Sequence, residues 1–132
     1  MDSFPPAMPR LRVTADEARQ APVQDKHLSA LLISYGSLEV RWLAQHPEEA
    51  QEPHDRDELY VVVSGTGVFV RTEEQIPFGE PGRVGVQGEV RITVQPGDTL
   101  FVPAGTVHQF EVMSPDFGTW MIFYGPEGGE QA

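Results

Sequence analysis

Eight short apolar runs, each closed off by Gly, Pro or acidic turn residues, constrain this chain more than any other feature. They lie at Leu28 to Ile33, Leu38 to Leu43, Glu58 to Val63, Val68 to Arg71, Val90 to Val94, Thr99 to Val102, Val107 to Met113 and Thr119 to Tyr124. None is long enough for an ordinary helix, and the 13 Gly and 12 Pro fall between them, which is the pattern of short strands joined by many turns. The first two runs flank Ser34-Tyr35-Gly36-Ser37, a good hairpin turn. Eight such strands suit an all-β barrel or sandwich. With 132 residues there is room for one core.

The ends read differently. Pro5, Pro6 and Pro9 lie among isolated apolar residues and predict a loosely held arm. Thr14-Ala15-Asp16-Glu17 has the spacing of a capping box and predicts a short, peripheral helix from Ala15 to Gln20, before Pro22. The expected division is an arm with a short helix over 1–27, a barrel over 28–124 and a flexible tail over 125–132. Between the fourth and fifth strands, residues 72–89 hold four Gly and two Pro and form either a flap over a pocket or plain surface.

Charge and composition exclude several functions. A net charge of -11, from 20 acidic against nine basic residues, repels phosphate backbones and anionic lipid headgroups, so neither nucleic acid nor a membrane surface is an expected partner. No apolar stretch approaches the roughly 20 residues that span a bilayer, and the first residues lack the basic start and apolar middle of a signal peptide, so a cytoplasmic protein is expected. With no Cys, any metal must be held by His, carboxylate or amide groups.

Two segments offer such groups. In Gln51-Glu52-Pro53-His54-Asp55-Arg56-Asp57-Glu58 strand alternation gives Glu52, His54 and Glu58 one parity, provided the chain stays extended before Asp57. In Pro96-Gly97-Asp98-Thr99-Leu100-Phe101-Val102-Pro103-Ala104-Gly105-Thr106-Val107-His108 a turn, an apolar strand and a second turn lead to His108, whose parity matches Phe110 and Val112. Alone, a His on such a face reads as a core histidine. His27 and His46 read as surface histidines.

Together the two segments resemble the paired motifs of the cupin superfamily. His54, Glu58 and Gly65 fall on the second His, the Glu and the closing Gly of the first motif, and Gly97, Pro103, Gly105 and His108 fall on the second. The resemblance spans about residues 28–124 and implies a double-stranded β-helix, or jelly-roll, barrel with a metal site inside it. Three positions depart: the first Gly falls on His46, the first His on Glu52 and the closing Asn of the second motif on Val112. The family's usual shell is three His and one Glu, so Glu52 stands in the vacant place. Gln51 is a rival, because Gln51-x-Pro53-His54 resembles a variant found in some small cupins, and a three-ligand site with neither residue is the remaining alternative.

Two His and a carboxylate form a facial set that leaves positions open on a non-haem Fe(II), and a second carboxylate favours hard ions such as Mn(II) or Fe(II), with Zn or Ni also possible. The expected function is a small metalloenzyme, oxygenase-like, acting on a small organic acid or diketone-like substrate. Tyr60, Arg56 and Phe110 are the candidate substrate contacts. The alternative is a non-catalytic barrel that binds or senses a small metabolite, with or without metal. Leu59, Val61 and Val63 on the opposite strand face are apolar as well, so a homodimer is expected.

Overall fold

A computed structural model describes residues 11–23, 28–46, 54–72 and 89–131. Among the described residues one helix, α1 (Ala15–Gln20), precedes eight strands: β1 (Ser29–Tyr35), β2 (Leu38–Ala44), β3 (Asp57–Ser64), β4 (Gly67–Thr72), β5 (Glu89–Val94), β6 (Thr99–Val102), β7 (His108–Glu111) and β8 (Gly118–Tyr124). They form a five-stranded sheet, β1-β2-β8-β3-β6, and a three-stranded sheet, β5-β4-β7. The spacing of the turns predicted an all-β fold, and the resemblance implied its double-stranded form; both are found. Gly36-Ser37 forms the turn after β1, with Gly36 at φ 58, and the strand pairing Tyr35↔Leu38 closes the hairpin around them.

The core lies between the sheets. Leu43, Tyr60, Val62, Phe69, Val94, Val102, Phe110, Phe117, Met121 and Phe123 are all buried in one cluster. Tyr60 meets Phe110 edge-on with ring centroids 4.9 Å apart, and Phe110 in turn meets Phe117 at 5.0 Å. Each such ring contributes roughly 1.5–3 kcal/mol by leaving water, with a further increment for the aromatic geometry. Gly65 turns the chain from β3 into β4 at φ 73, and a Cβ there would stand 2.6 Å from the Phe117 Cα, so no other residue fits that turn.

A second cluster sits outside the large sheet. Ala18 of α1 packs with Ala30, Leu32 and Trp42, and Val63 and Trp120 border it. The capping box forms as its spacing predicts: the Glu17 amide donates to the Thr14 hydroxyl at 3.1 Å, and the Thr14 amide donates to the Glu17 carboxylate at 2.8 Å. The helix therefore shields part of the outer face that its short length made look peripheral. Val63 gains its cover from this cluster within the chain.

Strand β7 ends at Glu111, earlier than expected. Val112 has φ 50 and is 74% exposed, so it does not continue the face of His108 and Phe110. Left-handed backbone interrupts the alternation on which that expectation rested.

Candidate metal centre

Three side chains converge on one point. The metal-capable atoms of His54, Glu58 and His108 all lie within 4.8 Å of one another. Glu58 is on β3 and fully buried, and its register partner Val102 on β6 and Phe123 on β8 wall it from both sides. His108 opens β7 and is 2% exposed. Its Nδ1 lies 2.9 Å from the Thr106 carbonyl, which can only accept, so Nδ1 bears a proton and Nε2 points inward, with a free lone pair when the ring is neutral.

That nitrogen faces the Glu58 Oε1 at 3.1 Å. The His54 Nε2 lies 3.7 Å from the same oxygen. Both Nε2 atoms and both carboxylate oxygens are buried without a hydrogen-bond partner among the described residues. Four converging acceptors repel one another unless a cation or an added proton lies among them. The separations of 3.1 and 3.7 Å suit ligands on one ion with bonds of about 2.1 Å. The three residues can thus hold a metal.

His54 reaches the site by a route other than strand alternation. β3 starts at Asp57, and residues 55–56 form a bend, so the extended entry that the parity argument needed is absent. The Gly105 amide donates instead to the His54 carbonyl at 2.7 Å, which ties the first motif directly to the turn before His108. The edge of the His54 ring meets Phe123, centroids 4.7 Å apart. Burial lowers the His54 pKa below its ordinary 6.5, the Glu58 charge partly opposing this, so the imidazole is neutral and ready to ligate near pH 7.

The other candidates divide. Tyr60 and Phe110 line the interior beside His108, with the Tyr60 and His108 rings 6.0 Å apart. Burial, and then the charge of Glu58, raises the Tyr60 pKa well above 10, so the phenol stays protonated. Glu58 acts on it through its charge and through a hydroxyl–carboxylate approach looser than an ordinary hydrogen bond. Arg56 follows the bend away: its guanidinium donates to the Glu39 carboxylate at 2.8 Å and to the Ser37 carbonyl, and lies over the Phe123 ring. Burial alone would raise Glu39, but hydrogen bonds and charge from Arg56 and Arg41 bring it below 4.5. His46 is half-buried and is not one of the three converging residues. Gln51, Glu52, His27 and the 73–88 part of the suggested flap lie outside the described residues.

Sequence reasoning missed Asp57. It is 6% exposed, beside Glu58, and accepts from the Ala104 amide at 2.9 Å and the Glu130 amide at 3.0 Å. The only signal available was an acidic residue directly before the buried Glu.

Comparison with known proteins agrees with this architecture. The cupin domain family matches over residues 39–124. An uncharacterized protein of Streptomyces coelicolor is 28% identical over 120 residues, covering 91% of this chain and 99% of that one. Acireductone dioxygenase 1 of Pectobacterium atrosepticum is 34% identical over 107 residues, 80% of this chain, and the chain spans about half, 55%, of that enzyme's length. A crystal structure of a cupin-2 domain containing protein from Shewanella frigidimarina superposes with a TM-score of 0.57 at 15% identity, covering 86% of this chain and 94% of that one. At that identity the likeness speaks for the fold alone.

Proposed function

The chain belongs to the cupin domain family, and from that membership and the geometry of its triad we propose that it is a small metal-dependent enzyme, oxygenase-like, acting on a small organic acid or diketone-like substrate. One observation carries the metal: the two inward imidazole nitrogens and the two Glu58 oxygens are buried together with no hydrogen-bond partner of ordinary geometry among the described residues. Similarity to acireductone dioxygenase 1 over 80% of the chain supports the oxygenase class. We favour Fe(II) or Mn(II), which suit a mixed imidazole and carboxylate set, over Zn or Ni.

A bound ion of this kind supplies Lewis acidity and, with dioxygen, a redox centre. The chain's own residues prepare the place for it. Thr106 fixes the His108 tautomer, and Phe123 orients His54. Tyr60, protonated, offers a hydroxyl beside Glu58, while Phe110 and Phe69 keep water from the deep side of the site. Glu52 is the proposed fourth ligand, with Gln51 its rival. Arg56, held by Glu39, serves the wall beneath Phe123 more than it serves a substrate.

A second reading has an observation of its own. The contact between His108 and Glu58 is also what an imidazolium and a carboxylate would make in a metal-free binding barrel. Elemental analysis of protein purified without chelators, followed by dioxygen uptake with small diketones and 2-hydroxy acids, separates the two. Metal with uptake supports the enzyme, and a metal-free chain that still binds a ligand tightly supports the alternative.

Pairing of two chains fits the outer sheet face. Val40, Ile122, Leu59 and Phe101 form one apolar row across four strands, outside the cluster that α1 covers, and Phe101 is 45% exposed. Sedimentation at tens of micromolar tests this, a monomer counting against it.

A further inference from the structure

The segment after β8 is bonded to the same stretch of chain that supplies two of the ligands. Asp57 precedes Glu58, and its two carboxylate oxygens reach in different directions: Oδ1 accepts from the Ala104 amide at 2.9 Å and Oδ2 from the Glu130 amide at 3.0 Å. The Gly128 amide donates to the Asp55 carbonyl at 2.6 Å, one residue past His54. Gly129 is buried against this seat with φ 88, and a Cβ on it would stand 2.9 Å from the Asp57 Oδ1 and 3.2 Å from the Ala104 Cβ. The segment can approach this closely only because residue 129 lacks a side chain.

We propose that residues 126–130 form a clasp seated on Asp57 that fixes the spacing between the segments bearing His54 and His108, making Asp57 a positioning residue for the metal centre. The bonds form an unbroken path. Asp57 holds Ala104, the neighbouring Gly105 amide holds the His54 carbonyl, and the same turn, closed from the Thr106 amide to the Pro103 carbonyl at 3.2 Å, presents the Thr106 carbonyl to the His108 Nδ1. A charge-assisted carboxylate with a backbone donor on each oxygen is stronger than the neutral bonds around it. Removal of the Glu130 donor leaves one oxygen of a nearly buried carboxylate without that partner, and Asp57 and the 103–106 turn then loosen together. Misplacement of a ligand by a fraction of an ångström costs affinity because ion coordination is short and directional.

The functional half of this proposal rests on the metal reading above, and the experiment keeps the two apart. Gly129→Ala, far from the ligands in the chain, is made in the full-length protein, with Asp57→Asn as the second variant. Amide hydrogen exchange reads the clasp without metal. Exchange at Ala104, Gly105 and Glu130 should speed up at least tenfold in Gly129→Ala while the β4 and β5 amides keep the parent rates. Titration with Co(II) reads the centre: affinity should fall at least tenfold, and the visible absorption of the bound ion should change with its geometry. Unchanged exchange at Ala104 and Gly105, or faster exchange with parent Co(II) affinity and spectrum, overturns the proposal. A parent chain that binds no Co(II) overturns the metal reading, and the exchange rates then decide the clasp alone.

Discussion

The Nε2 of His108 faces the Oε1 of Glu58 across 3.1 Å with no hydrogen bond joining them, although both side chains are buried. The Thr106 carbonyl fixes a proton on the opposite ring nitrogen, so a neutral imidazole here meets the carboxylate lone pair to lone pair. An ion or an added proton removes that repulsion, and the predictions below follow from the choice of an ion.

Glu58→Gln removes the buried charge and keeps the shape. The metal-free variant should be as stable as the parent or more stable, by up to a few kcal/mol, since an uncompensated buried carboxylate is unfavourable. Added Mn(II) should raise the melting temperature of the parent and leave that of the variant unmoved. Thermal scans with and without the ion check both halves.

At the vacant ligand position the account expects Glu52→Ala to weaken Mn(II) binding at least tenfold, about 1.4 kcal/mol, and Gln51→Ala to leave it near the parent value. Calorimetric titration of the two variants decides between the carboxylate and the amide. The reverse pattern assigns the site to Gln51.

Val112→Asn should stabilise the fold by about 1 kcal/mol. Val112 holds φ 50, where a β-branched side chain is strained and Asn is tolerated, and its 74% exposure means little apolar burial is lost. Urea denaturation, with the midpoint rising at an unchanged slope, is the check.

Acid sensitivity should include a contribution from Glu39. Its carboxyl is held below 4.5 in the folded chain, so its contribution is present above that pH and is lost as pH falls through the lower folded value. Glu39→Gln should cost under about 1 kcal/mol at pH 7, because the pair with Arg56 is partly solvated, and nothing in strong acid. Denaturation curves of parent and variant at several pH values measure the convergence.

Much of the barrel was legible because its punctuation is local. Gly, Pro and acidic residues delimit β6 at Thr99–Val102, and the capping box delimits α1 at Ala15–Gln20, each to the residue. Glu58 and His108 were legible as a pair because motif spacing places them on facing strands. What could not be read depends on contacts between distant residues. The bend at Asp55 and Arg56 takes the guanidinium to Glu39, 17 residues back. The partner of Asp57 at Glu130 lies 73 residues onward, and no periodicity encodes such a pairing. Val112 was misread because one left-handed residue ends an alternation that composition alone would continue.

The central claim is that His54, Glu58 and His108 bind an ion, and metal content tests it most directly. Protein purified without chelators, reloaded with Fe(II) or Mn(II) and freed of excess, should hold about one ion per chain by elemental analysis. His108→Ala should fold to the same circular dichroism spectrum and hold far less. A parent chain that retains no metal, together with a His108→Ala variant that fails to fold, would make His108 a core histidine and contradict the account.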